Sequence, residues 1–131
     1  MSNTGEPDEP LRGRRAVLVD DDRQMLRYLS TVLEDAGCAV IAFDRFDDAK
    51  KHLASAAAPD ILLTDVRLGG HNGMQLAVLC KLKHPETVAV VITAYDDPVL
   101  KKDAESAGAK YIVKPVTPTH LVDLLRNGGG S

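Results

Sequence analysis

Residues 16–22 read Ala-Val-Leu-Val-Asp-Asp-Asp, which is an apolar run of four residues followed at once by three acidic ones. The apolar run is continuous rather than alternating, and it is too short for a helix of ordinary length. This pattern is typical of a strand that is buried on both faces of a parallel sheet. The stretch therefore predicts a buried strand with acidic side chains at its carboxyl end.

Similar apolar runs recur along the chain, at residues 39–42, 61–63, 88–92 and 111–113. The segments between them carry apolar residues at helical spacing, and the first of these segments ends at Gly37, a residue typical of helix C-terminal caps. Five strand–helix repeats predict an α/β protein with a doubly wound parallel sheet and right-handed crossovers.

The composition excludes several classes of protein. The chain has 131 residues, which suits one domain, and 44% of them are hydrophobic. A formal net charge of -3 argues against direct binding of nucleic acid, and no apolar run approaches the ~20 residues that span a bilayer. The two cysteines, Cys38 and Cys80, are too few for a disulfide scaffold, so we expect buried thiols in a cytoplasmic protein.

The two ends of the chain differ in composition from the part between them. Residues 1–14 are rich in charge, proline and glycine, and they predict a disordered leader. Residues 127–131 read Asn-Gly-Gly-Gly-Ser and predict a flexible tail or linker. The folded domain is therefore expected to cover residues 15–126.

Polar side chains follow four of the five predicted strands, at the point where each strand ends. They are Asp20, Asp21 and Asp22 after the first strand, Asp65 after the third, Thr93 after the fourth and Lys114 after the fifth. Taken singly, each has an ordinary structural interpretation as a helix cap, a strand end or a solvated charge. Because the carboxyl ends of parallel strands meet at one edge of the sheet, we expect them to share a pocket.

Clustered carboxylates need a compensating charge. Two like charges ~4 Å apart repel by roughly 4 kcal/mol at an effective dielectric constant near 20. Oxygen ligands select a hard cation, and a partly hydrated Mg²⁺ fits best. A metal beside a carboxylate, a hydroxyl and a lysine suits phosphoryl transfer, in which Asp65 would attack phosphorus while Thr93 and Lys114 bind phosphoryl oxygens.

Four motifs together resemble the receiver domain of two-component response regulators, in particular single-domain receivers of the chemotaxis-regulator type. They lie at residues 17–22 (VLVDDD), 62–73 (LLTDVRLGGHNG), 90–95 (VVITAY) and 111–115 (YIVKP). The resemblance covers residues 15–126, and it implies a flavodoxin-like (βα)5 three-layer sandwich. The implied strand order of the five-stranded parallel sheet is 2-1-3-4-5.

The resemblance also implies the central chemistry of the site. Asp65 matches the aspartate that accepts a phosphoryl group from a sensor histidine kinase or a histidine phosphotransfer protein. Asp20, Asp21, Asp65 and the backbone carbonyl of Arg67 match the ligands of a Mg²⁺ or Mn²⁺ ion. A receiver promotes its own phosphorylation and slow autodephosphorylation, and it is not an enzyme that turns over a substrate.

Further positions match the part of the family that transmits the signal. Lys114 matches the lysine that assists at the phosphorylation site, and Thr93 and Tyr111 match the switch pair. The bond between Lys114 and Pro115 matches a cis peptide. The face made by the fourth helix, the fifth strand and the fifth helix matches the output surface, which binds a downstream protein or a second copy.

Arg67 and Tyr95 are expected to tune the lifetime of the phosphorylated state. Arg67 lies two residues past Asp65, and Tyr95 lies two residues past Thr93, so both should border the route of the hydrolytic water. The glycine pair at residues 69–70 stands where the family commonly has a proline, which predicts a looser loop.

Two alternatives come from other classes of protein. One is a receiver-like interaction module that is not regulated by phosphorylation; the complete set of five polar strand-end residues argues against it. The other is a haloacid-dehalogenase-type phosphatase with Asp20 as nucleophile of the D-x-D motif. Gln24 departs from the threonine or valine that this phosphatase family prefers, and the chain has no room for a cap domain.

Overall fold

The computed structural model describes residues 9–55 and 57–126, and within these residues the chain forms seven strands and five helices. In chain order they are β1 (Arg15–Val19), α1 (Arg23–Asp35), β2 (Ala39–Phe43), α2 (Phe46–Ser55), β3 (Ile61–Asp65), β4 (Arg67–Leu68), β5 (His71–Asn72), α3 (Met74–Lys83), β6 (Val88–Thr93), α4 (Pro98–Ser106), β7 (Lys110–Val113) and α5 (Pro118–Arg126). None of the helices in these two ranges is long and apolar enough to cross a membrane.

The five longer strands form one parallel sheet in the order β2-β1-β3-β6-β7. Numbered along the chain, these strands have the order 2-1-3-4-5, which confirms the predicted topology. The register aligns the carboxyl ends of neighbouring strands: Val19 lies opposite Thr64, and Thr93 lies opposite Val113. The polar residues that follow the strands are therefore brought to one edge of the sheet.

The sheet separates two apolar cores. Leu18 and Leu63 point to one face, where they pack with α1 and α5, whereas Val17 and Leu62 point to the other face, which α2, α3 and α4 cover. The three central strands are thus buried on both faces, as their continuous apolar runs predict. The prediction was wrong for β2, where Ile41 is 49% exposed, because an edge strand of the sheet is covered less completely.

Capping residues define the ends of α1 and α4. Asp22 and Asp97 cap α1 and α4 by accepting backbone N–H groups of the first turn, and Pro98 occupies the first position of α4. Gly37 and Gly108 follow these helices with φ angles of 105° and 81°, a conformation that only glycine adopts readily. These caps fix the length of each crossover, and so they fix where the next strand begins.

Residues 9–14, which the prediction assigns to the leader, pack on the domain. The side chain of Leu11 is fully buried, and its backbone N–H donates to the carbonyl of Ala36 at 2.8 Å. The Gly13 N–H donates to the Gly37 carbonyl at 3.1 Å. A single leucine among charged residues gave no periodic signal. The rest of the predicted leader and the predicted tail, residues 1–8 and 127–131, lie outside the described residues.

Replacing Leu11 tests whether this segment belongs to the folded unit. We expect Leu11→Ala to lower the free energy of unfolding by about 2–5 kcal/mol, because it leaves a cavity in the core. Ile41→Ala, at the half-exposed edge position, should cost less than about 1 kcal/mol. Urea unfolding followed by circular dichroism measures both, and equally small losses would show that residues 9–14 are not part of the domain.

Candidate functional site

Three aspartates that the sequence assigns to neighbouring strand ends lie together. Asp20, Asp21 and Asp65 each offer one carboxylate oxygen, and these oxygens lie within 4.8 Å of one another. Asp20 is 1% exposed and Asp65 8%, whereas Asp21 faces solvent. The cluster follows from the topology, because β1 and β3 are adjacent and end at the same edge.

Asp20 is the most deeply buried carboxylate of the cluster. Its Oδ1 accepts the backbone N–H of Asp22 at 2.9 Å, while no group within the described residues hydrogen-bonds its Oδ2. Burial raises the pKa of Asp20 to about 6, and the negative charge of Asp65 acts in the same direction. The carboxylate is therefore held in a position where its charge is only partly compensated.

Asp65 has a positive partner on the neighbouring side of the pocket. The Lys114 Nζ lies 3.4 Å from the Asp65 Oδ1. Burial raises the pKa of Asp65, and the Lys114 ammonium opposes this effect by favouring the charged carboxylate. The backbone N–H of Lys114 donates to the Thr93 carbonyl at 2.8 Å, and the bond to Pro115 is cis. These contacts place the lysine at the end of β7, directed at the carboxylate.

Thr93 and Tyr111 are linked through the backbone of Tyr95. The Tyr95 N–H donates to the Thr93 Oγ1 at 3.2 Å, and the Tyr111 hydroxyl donates to the Tyr95 carbonyl at 3.1 Å. The Tyr111 hydroxyl also accepts the Asp97 N–H at 2.8 Å. One short loop between β6 and α4 therefore contacts the buried threonine on one side and the tyrosine on the other.

Arg67 and Tyr95 meet across two strand-end loops. The Arg67 Cζ lies 5.4 Å from the centre of the Tyr95 ring, within the range of a cation–π contact. Tyr95 is 64% exposed, and Arg67 is exposed as well. The pair joins the loop after Asp65 to the loop after Thr93.

The glycine pair forms a structure that the sequence analysis missed. Instead of a loose loop, β4 and β5 pair as a short antiparallel hairpin, with Gly69 at a φ of 62° in its turn. The Gly69 N–H donates to the Asp21 Oδ2 at 2.9 Å, and the His71 ring stacks on Phe46 at 4.3 Å. The hairpin therefore positions the exposed carboxylate of the cluster. Strands of two residues are too short to give a periodic signal.

Gly73 is a further residue whose role the sequence analysis missed. Its sequence neighbour Asn72 favours a turn, but the φ of Gly73 is -60°, which any residue adopts. The reason for glycine is space, because a Cβ here would lie 1.8 Å from the backbone oxygen of Asp65 and 2.7 Å from the Thr64 Oγ1. The signal available in the sequence was a glycine at a helix start, where serine or aspartate is preferred.

The donor set of the cluster fits a hard divalent cation. All three side chains offer carboxylate oxygens, and one of them, the Asp20 Oδ2, is buried with no hydrogen-bond partner among residues 9–55 and 57–126. Mg²⁺ is held in proteins by one or two carboxylates together with water and phosphate oxygens. Asp20, Asp21 and Asp65 therefore suit a magnesium ion that also contacts a phosphoryl group.

The site as a whole defines a class of protein. A buried carboxylate with an ammonium group 3.4 Å away and two further carboxylates nearby, at the carboxyl edge of a doubly wound sheet, has the groups that phosphoryl transfer to a carboxylate requires. The model of the response regulator receiver domain family matches residues 16–126, and the chain belongs to this family. Receiver domains bind Mg²⁺ at an acidic pocket, and they interact with histidine kinases or phosphotransfer proteins.

Two curated proteins that are similar to this chain are transcriptional regulators by name. The chain is 33% identical over 108 residues to the alginate biosynthesis transcriptional regulatory protein AlgB of Pseudomonas aeruginosa, covering 82% of this chain and 24% of that protein. It is 33% identical over 109 residues to the DNA-binding transcriptional regulator NtrC of Escherichia coli, covering 82% and 23%. The chain thus spans about a quarter of the length of these curated relatives.

A solved structure with a similar fold is a response regulator protein from Burkholderia pseudomallei with a phosphorylated aspartic acid, a calcium ion and citrate. Its TM-score is 0.80 at 26% identity, and the match covers 88% of this chain and 68% of that one. Membership of the receiver family favours the receiver interpretation over the phosphatase alternative, in which Asp20 would be the nucleophile.

Gly73→Ala tests the close approach of α3 to the end of β3. The added Cβ must displace the main chain of Asp65, and we expect a loss of about 1–3 kcal/mol in the free energy of unfolding. The matched control is Gly70→Ala, where a Cβ meets nothing within 4 Å, and its effect should stay within about 0.5 kcal/mol. Equal effects of the two variants would contradict the packing argument.

Asp20→Asn tests the cost of burying the carboxylate. In the metal-free wild type, folding takes up a proton between the unfolded pKa of 3.8 and the folded pKa of about 6. Stability therefore falls as the pH rises through this window, and the amide variant lacks this loss. With a chelator present, we expect the variant to be more stable than the wild type by about 1–3 kcal/mol at pH 7 and not at pH 3.5.

Urea unfolding at the two pH values measures this difference. Added Mg²⁺ should then stabilise the wild type and leave Asp20→Asn nearly unchanged, because the variant lacks one charged ligand. If Asp20→Asn were less stable than the metal-free wild type at pH 7, this would contradict the raised pKa of Asp20 in the folded state.

Proposed function

We propose that Asp65 accepts a phosphoryl group from the phosphohistidine of a sensor histidine kinase or a histidine phosphotransfer protein, in a Mg²⁺-dependent reaction. The observation that carries the proposal is the position of its carboxylate, 8% exposed, 3.4 Å from the Lys114 ammonium and beside two further aspartates. Membership of the receiver family supports it.

The residues of the chain divide the chemistry among them. A carboxylate oxygen of Asp65 forms a bond to phosphorus as the nitrogen–phosphorus bond of the donor breaks, and the donor's imidazole leaves. Lys114 favours the ionised form of Asp65 before the transfer and pairs with a phosphoryl oxygen after it. Thr93, at the end of the adjacent strand, donates its hydroxyl to another phosphoryl oxygen.

Asp20, Asp21, Asp65 and the backbone carbonyl of Arg67 would hold the Mg²⁺ or Mn²⁺ ion. When bound, the ion neutralises negative charge on the phosphoryl oxygens. Asp20 contributes its Oδ2, which has no hydrogen-bond partner in the described part of the chain. The Gly69 N–H holds Asp21 in place through its Oδ2 at 2.9 Å.

The loop between β6 and α4 would carry the signal away from the site. To donate to the phosphoryl group, the Thr93 hydroxyl moves from its present position at the Tyr95 N–H. The Tyr95 carbonyl accepts a hydrogen bond from the Tyr111 hydroxyl. A displacement of the loop therefore changes the position of the Tyr111 ring. Phosphorylation thus shifts a two-state equilibrium at the face made by α4, β7 and α5, which binds a downstream protein or a second copy.

The phosphotransfer is proposed to take place in the cytoplasm. Cys38 and Cys80 are free and buried, as the sequence analysis expects of thiols in a reducing compartment. The partner that donates the phosphoryl group carries a phosphorylated histidine.

Incubation with acetyl phosphate and Mg²⁺, followed by intact mass measurement, tests the proposal directly. We expect one phosphoryl group per wild-type chain and none in Asp65→Asn. The matched control is Asp22→Asn, because this exposed aspartate caps α1 and asparagine caps equally well. If the wild type stays unmodified while Mg²⁺ binds, the chain is instead the interaction module that phosphorylation does not regulate.

The lifetime of the phosphorylated state should depend on the Arg67–Tyr95 pair. We propose that the two side chains cover the approach of water to Asp65, so autodephosphorylation is slow. Arg67→Ala and Tyr95→Ala should each speed the loss of phosphate by about three- to tenfold, on the order of 1 kcal/mol of barrier. Arg27→Ala, an exposed arginine on α1, is the control, and unchanged rates in both pocket variants would contradict the proposal.

A further inference from the structure

Helix α3 is apolar on its outer side as well as on its inner side. Leu76, Ala77 and Cys80 are buried against the sheet. On the side away from the sheet, Val78, Leu79 and Leu82 are exposed, and Leu82 is 78% exposed. A helix of this kind normally has its second apolar face covered, whereas a surface helix carries polar residues there. The outer side of α3 therefore resembles an interface more than a solvated surface.

Leu79 and Leu82 of α3 form one wall of a groove against α2. The groove has a volume of about 350 Å³. Its lining residues are Lys50, Leu53, Ala54, Leu76, Leu79, Leu82 and Lys83. Leu53 and Leu76 are buried and form the floor, so the surface is concave and apolar, with room for large side chains of a partner.

The charged residues that line the groove are basic. Lys50 lies on the α2 side, and Lys83 lies at the end of α3, where its ammonium donates to the Ala54 carbonyl. The acidic residues of α2, Asp47 and Asp48, lie in its first turn, at the other end of the helix from Ala54. The end of the groove near Ala54 is therefore apolar in its centre and positive at its rim.

We propose that the α2–α3 groove docks an amphipathic helix of a different protein, with leucine-like side chains on one face of the helix and acidic residues flanking them. A groove between two helices suits the helix-in-groove mode of recognition, and the lysines select the charge of the partner. A second copy of the chain fits less well, because a symmetric contact brings Lys50 and Lys83 of both copies together. The surface lies on α2 and α3, apart from the face made by α4, β7 and α5.

Two synthetic peptides of ~18 residues test the proposal without a known partner. They share a leucine face and differ only in carrying glutamate or lysine on the polar face. The ¹⁵N-labelled chain is titrated at low ionic strength, without Mg²⁺ or phosphoryl donor, so that the result is independent of the function of Asp65. We expect the acidic peptide to bind at least about tenfold tighter than the basic one, with amide shifts centred on Ala54, Leu79 and Leu82.

Variants separate the apolar and the charged parts of the groove. The Leu82 side chain is exposed and does not belong to the core, so Leu82→Asn should leave the fold intact. This variant should weaken binding of the acidic peptide at least about tenfold. Val99→Asn removes a similarly exposed apolar side chain from α4 and should leave binding unchanged. The double variant Lys50→Glu and Lys83→Glu should reverse the preference between the peptides.

Five results would overturn the proposal. They are equal binding of both peptides, binding of neither, shifts that centre on α4 and α5, and the same amide shifts produced by anionic lipid vesicles or by raising the protein concentration alone. The last pair would identify a membrane surface or a second copy as the occupant of the α3 face.

Discussion

The concentration of negative charge at the carboxyl edge of the sheet is the constraint on which the rest of the molecule depends. Parallel strands β1 and β3 are neighbours, so Asp20, Asp21 and Asp65 end within 4.8 Å of one another. Lys114 compensates part of this charge, and the Asp20 Oδ2 keeps no hydrogen-bond partner in the described residues. A fold that holds such a cluster responds to a proton, a cation or a phosphoryl group, because each changes the charge that the folded state must accommodate.

The surroundings of the cluster serve to hold it and to connect it to the surface. Gly73 lets α3 approach the backbone of Asp65 more closely than any side chain allows, and the hairpin of β4 and β5 fixes Asp21. The backbone of Tyr95 joins the buried Thr93 hydroxyl to Tyr111. A change of charge at the strand ends therefore has a short path of direct contacts to Asp97, at the start of α4.

The sequence predicts those features that depend on local pattern. The apolar runs, the cap at Gly37 and the polar strand ends gave the fold class and the members of the pocket, while the strand order followed from the family resemblance. It did not predict features that depend on distant contacts. Leu11 is buried because its segment packs beside the end of α1, and Gly73 is needed because α3 meets β3. Edge exposure at Ile41 likewise depends on the order of the strands.

Amide NMR spectra of the chain alone, with Mg²⁺, and with Mg²⁺ and beryllofluoride test the central claim most directly. Beryllofluoride mimics a phosphorylated aspartate. We expect Mg²⁺ to shift residues next to Asp20, Asp21 and Asp65, and beryllofluoride to extend the shifts through Thr93 and the β6–α4 loop to Tyr111. A chain that responds to neither addition, or whose response stops at the three aspartates, would contradict the account of a charged pocket connected to an output surface.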